Sequence, residues 1–442
     1  METCVRVPGV TLRCDTAAPM QAAPFTSSLA EELSAGLLER FLRYAQIDTQ
    51  SRRNRDRSPS TEGQLVLGRL LVEELRQSGL QDVELDSTGY VTATLEATKD
   101  KATTIGLIAH MDTSPDAPGS HVKPIVHPPY EGGVVELPRE GTRLAPETMP
   151  ELREKLGHRL VSSSGDTLLG ADDKAGVAAI MGAVSHLAAH PDLGRPRLRV
   201  GFTPDEEIGE GATLFDLDRF GARCAYTIDG SDIGELQDET FSADEAVLTV
   251  TGVDVHPGQA TDKLVSALRL AARIVTALPT DNLAPESTSG REGFIHPYEL
   301  TGTPARAQIK LLLRDFDDER LAEHGELMMR VAHEVLASEP RAQVRVDLRP
   351  QYRNMRRHLD AVPEVIAAAE DAIRAEGIEP VRVPIRGGTD GSRLSEMGLP
   401  TPNLFTGGHE FHSVREWLSL QDLAAAGATI VRLAQAWADE GK

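Results

Sequence analysis

Histidine and carboxylate gather at five places where apolar runs of this sequence end. "IAHMDTSPD" carries His110 and Asp112, "LLGADDKAG" carries Asp172 and Asp173, and "TPDEEIGEG" carries Asp205, Glu206 and Glu207. "YTIDGSD" adds Asp229, and "FTGGHEFHSVREW" adds His409 and His412. Singly, each stretch is ordinary: a histidine at a strand end is more often a satisfied core or loop residue, and acids in turns are commonly solvated. Together they form a donor set. Imidazole with carboxylate and no cysteine suits zinc, with cobalt and manganese as alternatives. The donors outnumber those that one tetrahedral ion needs, which points to two divalent ions sharing a carboxylate. Two such ions about 3.5–4 Å apart acidify a water and polarise a carbonyl together.

The "DEE" triplet poses a physical problem. Like charges this close repel, and one of them gains a proton unless a cation is near. Successive side chains on a strand point to opposite faces. Glu206 and Glu207 therefore serve one site only if the chain leaves the strand, and Pro204 and Gly209 bracket such a turn. Asp205 reads as the solvated member of the triplet, with no role.

The elements that must hold these residues alternate strand and helix. Amphipathic helices are expected over "SSLAEELSAGLLERFLRYAQ", with Ser28 and Glu31 at capping-box spacing, and over "TEGQLVLGRLLVEELRQSG", opened by Thr61 and Gln64. "VELDSTGYVTATLEA" reads as a hairpin. "TTIGLIAH", "LRVGFTP" and "CAYTIDG" read as buried strands, and "VAAIMGAVSHLAAH" as a helix. Residues 117–165, rich in proline, glycine and charge, read as a long connection. The pattern changes near residue 241. From "EAVLTVTGVDV" to "AQVRVDLR" the order is β-α-β-β-α-β, that of a ferredoxin-like unit. Strand–helix alternation then resumes and ends in "LQDLAAAGATIVRLAQAWA".

The expected fold class is α/β. A discontinuous domain, residues 25–240 and 350–442, carries a mostly parallel sheet flanked by helices, and a ferredoxin-like α+β domain, residues 241–349, is inserted in it. Ligands of open α/β sheets sit beyond the carboxyl ends of the strands, where all five clusters fall.

Composition narrows the partners. The 442 residues carry a formal net charge of −22, which argues against nucleic acid or an anionic membrane. Cys4, Cys14 and Cys224 are widely spaced, so no disulfide framework or thiolate zinc site is expected, and the compartment reads as reducing and cytoplasmic. There is no apolar run of about 18 residues to span a membrane. Residues 1–24 lack a signal-peptide core and read as a disordered extension.

With "STEGQ", "VHPG", "RDFD" and "IRGGTDGSRLSEMGLPTPNLFTGG", the five stretches resemble the peptidase T (tripeptide aminopeptidase) family of co-catalytic di-zinc metallopeptidases. The likeness runs from "LLERFLRYAQIDTQS" to the final helix. "HxD" or "DDK" alone points no further than the wider superfamily of carboxypeptidases, dipeptidases and acyl-amino-acid deacylases. The resemblance implies that His110 and Asp229 bind one metal, Glu207 and His412 the second, and Asp172 both. It implies that Asp112 fixes the His110 ring, that Glu206 is the general base, and that the Asp172–Asp173 peptide bond is cis. His409, three residues before His412, is the alternative ligand; the spacing from "FTGG" favours His412.

The same resemblance makes the inserted domain a lid and a homodimer contact. His256 would donate to the oxyanion, in cis or from the partner subunit. Arg314 would hold the substrate's carboxylate, or else pair with Asp315 or Asp317. Arg386 and Asp390 would support the site or pair with each other. The implied activity is release of the N-terminal residue from short peptides, chiefly tripeptides, by a hydroxide held between two metal ions. Another amidohydrolase of the superfamily is the first alternative, and a noncatalytic metal- or peptide-binding protein the second. A non-ligand Glu206 beside the metals argues against a mere binder.

Overall fold

The computed structural model describes residues 22–99 and 103–439. The extension expected over 1–24, with Cys4 and Cys14, lies almost wholly outside the described residues. The main sheet has eight strands. In spatial order they are Gln81–Leu85, Val91–Leu95, Arg197–Thr203, Thr104–His110, Cys224–Gly230, Asn403–Phe405, Glu235–Gln237 and Val381–Arg382. Its four central strands, from Arg197–Thr203 to Asn403–Phe405, run parallel, and the edges are antiparallel or mixed. The central strands read as unbroken apolar runs because both faces are covered.

The covering helix Ala171–Ala189 is apolar all round. It packs on Thr104–His110 and Cys224–Gly230, and against Ser28–Ala45 and Leu420–Asp439. A Cβ on Gly176 would stand 1.8 Å from the Ile228 carbonyl oxygen, so only glycine lets this helix approach the sheet so closely. The helix also starts abruptly. Asp172 and Asp173 have non-helical dihedrals, and the peptide bond between them is cis, as expected from the resemblance.

Between residues 242 and 352 lies a second, four-stranded antiparallel sheet. Its order is Phe294–Gly302, Arg306–Asp315, Ser242–Thr251, Gln343–Tyr352, with helices Ala267–Ala277 and Asp318–Leu336 on one face. It buries a core of its own around Leu248, Ile274, Ile309, Leu311 and Met328. The β-α-β-β-α-β order is that of the sequence reading.

Three local expectations are corrected. The first helix is capped by Ser27, not Ser28: its Oγ accepts from Ala30 N at 3.1 Å. The second helix opens after Thr61 without a capping bond from its side chain, and Gln64 Nε2 donates to Asp205 as well as to Thr61. The stretch 117–165 is not a bare connection. Its strands Ile125–Pro129 and Arg159–Ser162 join Trp417–Ser419 and Gly408–His409 in a third sheet.

Candidate active site

The acidic stretches converge at the carboxyl ends of the parallel strands. His110 ends one strand, and Asp229 is the penultimate residue of the next. Glu206 and Glu207 lie on the short 3₁₀ turn Glu206–Ile208 that follows Arg197–Thr203. The chain does leave the strand there: Asp205 has φ 60° and Gly209 φ 75°. Asp172 opens the covering helix, and His412 follows the Gly408–His409 strand. A cavity of about 350 Å³ is lined by Asp172, Glu206, Glu207, Asp229, Asp390 and His412, together with Tyr352, Gly388, Thr389 and Arg393.

Asp172 sits between the two imidazoles. His110 Nε2 is 2.8 Å from its Oδ1, and His412 Nε2 is 3.1 Å from its Oδ2. Each ring meets a further acid. His412 Nε2 lies 2.8 Å from Glu207 Oε2, and His110 Nε2 lies 3.6 Å from Asp229 Oδ1. Asp112 faces the other side of His110. Its Oδ1 is 3.5 Å from Nδ1, and its two oxygens accept the backbone N–H groups of Glu206 and Glu207 at 2.9 and 3.2 Å. One buried carboxylate thus ties the histidine to the glutamate turn.

Electrostatics follow from crowding. Burial pushes the Glu207 carboxyl up to about 8, with the Asp172 charge adding to it against His412. Burial likewise raises Asp229 to about 6. Glu206 is held well above the usual carboxylate range by burial, with Asp390, Asp229 and Glu207 reinforcing it against His110. Burial would also raise Asp172, but the hydrogen bonds from both histidines outweigh it and hold that carboxyl low. Burial would lower His412, yet its bonds to Asp172 and Glu207 lift it to about 11. The cluster therefore seeks positive charge.

These residues fit a pair of divalent ions. His110, Asp172 and Glu207 offer ligand atoms within 4.8 Å of one another, as do His110, Asp173 and Asp229. Glu207 Oε1 is buried without a hydrogen-bond partner, an acceptor that a cation would satisfy. Asp173 is near, but its oxygens accept the backbone N–H groups of His110 and Gly176, each at 3.1 Å.

Three sequence expectations change at this site, and one alternative, His409, falls away. Asp205 is not solvated. It is fully buried, takes hydrogen bonds from Ser60 N at 2.8 Å and Gln64 Nε2 at 2.8 Å, and returns its own N–H to Gln64 Oε1. It anchors the turn that carries both glutamates. His409 stands apart from the cluster, stacked on Trp417 with ring centroids 4.0 Å apart. Arg386 and Asp390 do not pair. Arg386 donates to Thr288 and Glu292, while Asp390 accepts from Thr203 Oγ1 at 2.6 Å. Arg314 pairs with neither Asp315 nor Asp317. Its Nη1 donates to the Leu313 carbonyl, and its guanidinium lies over the Tyr352 ring.

Arg314 and His256 are not among the residues that line the cavity; His256 is exposed at the start of a short 3₁₀ turn. The glycines of "IRGGTDG" do allow close approach. A Cβ on Gly388 would come within 2.5 Å of the Tyr352 ring.

Two residues passed over in the sequence matter here. Glu416 is buried and accepts from Leu169 N, Gly170 N and Asp172 N at 2.7, 2.8 and 3.0 Å. It fixes the backbone that presents Asp172. Arg393 brings a guanidinium to the cavity wall. Both lie inside stretches quoted above, "FTGGHEFHSVREW" and "IRGGTDGSRLSEMGLPTPNLFTGG", yet an acid before "WLSL" and an arginine in a polar helix look like surface.

A sheet with clustered histidines and carboxylates beyond its parallel strands defines a class, and family comparison agrees with it. The model of peptidase family M20/M25/M40 matches residues 165–436. The chain belongs to this family and is a metal-dependent peptidase. More particularly, it is similar to peptidase T of Bacillus licheniformis, 45% identical over 399 residues, covering 90% of this chain and 97% of that one. Its fold is like that of aminopeptidase PepT from Bacillus cereus, with a TM-score of 0.72 at 23% identity, over 92% of this chain and 99% of that chain. A tripeptidase from Staphylococcus aureus gives 0.73 at 21%, with the same coverage.

Proposed function

We propose that this chain releases the N-terminal residue of short peptides, tripeptides foremost, at the cavity beyond the parallel strands. The observation that carries this reading is Asp172 spanning His110 and His412, with the Glu206 carboxyl on the same cavity wall outside that hydrogen-bonded group. His110, Asp229, Asp172, Glu207 and His412 would hold two divalent ions, zinc being the best match to imidazole and carboxylate. Bound there, such ions supply polarisation of the scissile carbonyl and acidify water.

The chain's own groups do the rest. Glu206, its proton affinity raised by burial and neighbouring acids, takes a proton from the attacking water and returns it to the leaving amine. Asp112 keeps the His110 ring and the glutamate turn in fixed relation. Asp205, through Ser60 and Gln64, holds that turn from behind. Arg393, on the cavity wall, would meet the peptide's terminal carboxylate, for which a guanidinium fork is suited.

Residues 241–349 act as a separate lid and dimer contact on 25–240 and 350–442, and His256 and Arg314 reach the substrate when it closes. The scarcity of cysteine supports a reducing, cytoplasmic compartment, and the family resemblance a homodimer. The test is turnover of Ala-Ala-Ala beside a free dipeptide and an N-acetyl amino acid, before and after chelation. Release of the first alanine, lost on chelation and restored by zinc, is expected. Hydrolysis of only the dipeptide or the acylated amino acid overturns the aminopeptidase reading.

A further inference from the structure

A second set of metal-competent side chains stands at the far end of the helix that Asp172 opens. In "SHLAAHPD", His186 and His190 are four residues apart at the C-terminal end of Ala171–Ala189, so they share one face. Their ring centroids are 4.1 Å apart. Glu32 comes from the neighbouring helix Ser28–Ala45 and places Oε1 3.5 Å from His186 Nδ1. One ligand atom from each of the three lies within 4.8 Å of the others. Roughly 21–27 Å of helix, at about 1.5 Å per residue, separates them from Asp172.

Further features suit a cation here. His190 Nδ1 lies 2.8 Å from the His186 carbonyl oxygen, which can only accept. Nδ1 therefore carries a proton, which leaves Nε2 as the nitrogen for a ligand bond. Metal-binding histidines are commonly set in this way. Burial, with the neighbouring His190, lowers the proton affinity of His186 despite Glu32. The carbonyl end of a helix also favours positive charge. Glu32 is exposed, which leaves one side open for water.

We propose that Glu32, His186 and His190 form a peripheral site for one divalent transition cation, zinc foremost, that clamps helix Ser28–Ala45 to the end of helix Ala171–Ala189. Two nitrogens and one carboxylate oxygen suit zinc, copper or nickel and not calcium or magnesium. The site is independent of the catalytic reading.

Equilibrium dialysis of the full-length protein against zinc, with atomic emission to count ions, tests it. Wild type is compared with His190→Ala and with Glu32→Gln, whose exposed position leaves the fold intact. His190→Ala is expected to hold one ion fewer per chain than wild type and to keep its peptide turnover. Glu32→Gln, which removes the anionic ligand, is expected to weaken the most loosely held ion by at least about tenfold, the least that loss of even an outer partner costs. Because the readout is a difference, it stands whatever number the main cavity holds. Equal stoichiometry and affinity in all three proteins would overturn the proposal.

Discussion

At the scale of single residues, adjacent acids take separate work because the backbone turns between them. Glu207 meets His412, Glu206 faces the cavity, and Asp205 is buried in a bonded pocket of Ser60 and Gln64. Replacing Glu206 with glutamine keeps shape and hydrogen bonding but removes the acceptor of a proton. Turnover is expected to fall about 10²–10⁴-fold, the usual worth of general acid–base catalysis, with metal content unchanged. Unaltered turnover in Glu206→Gln, measured beside metal analysis, would contradict its role as base.

At the scale of elements, the third sheet decides where His412 stands. Gly408–His409 pairs with Trp417–Ser419, and His409 stacks on Trp417 inside that sheet. Burial, with the Lys155 cation, lowers the His409 imidazole from 6.5 to about 3. The sign follows directly. Between pH 6.5 and 3 the unfolded chain binds a proton that the folded chain refuses. The stability tied to a neutral His409 is therefore complete above pH 6.5 and is lost as pH falls towards 3. In metal-free protein, His409→Gln is expected to flatten the fall of the urea midpoint between pH 6.5 and 5. A slope identical to wild type would show that His409 does not carry this acid sensitivity.

At the scale of the whole molecule, strands from distant parts of the chain bring several carboxylates into one buried space on a chain of net charge −22. Cations bound only by the folded state stabilise it by mass action, by about 4 kcal/mol at a thousandfold excess over Kd. Chelation is expected to lower the calorimetric melting temperature, and zinc to restore it. A melting temperature indifferent to chelation would mean that the carboxylate cluster is stable without ions. The main-sheet and second-sheet parts of the chain are fastened by Arg386 to Thr288 and Glu292, and by Arg291 to Glu239. A closing lid would have to hinge about these bonds.

The sequence by itself determined the donors and the sheet that carries them, because apolar runs and strand-end acids are local features. The β-α-β-β-α-β order after residue 241 was legible for the same reason. The resemblance favours His412 over His409, but only tertiary structure shows what separates them: three residues of loop lie between stacking on Trp417 and reaching Asp172. Tertiary structure alone shows Asp205 to be buried and Glu416 to hold the Asp172 backbone. The partners of these two acids lie 141–145 and 244–247 positions away in the chain, and no local pattern records contacts at that separation.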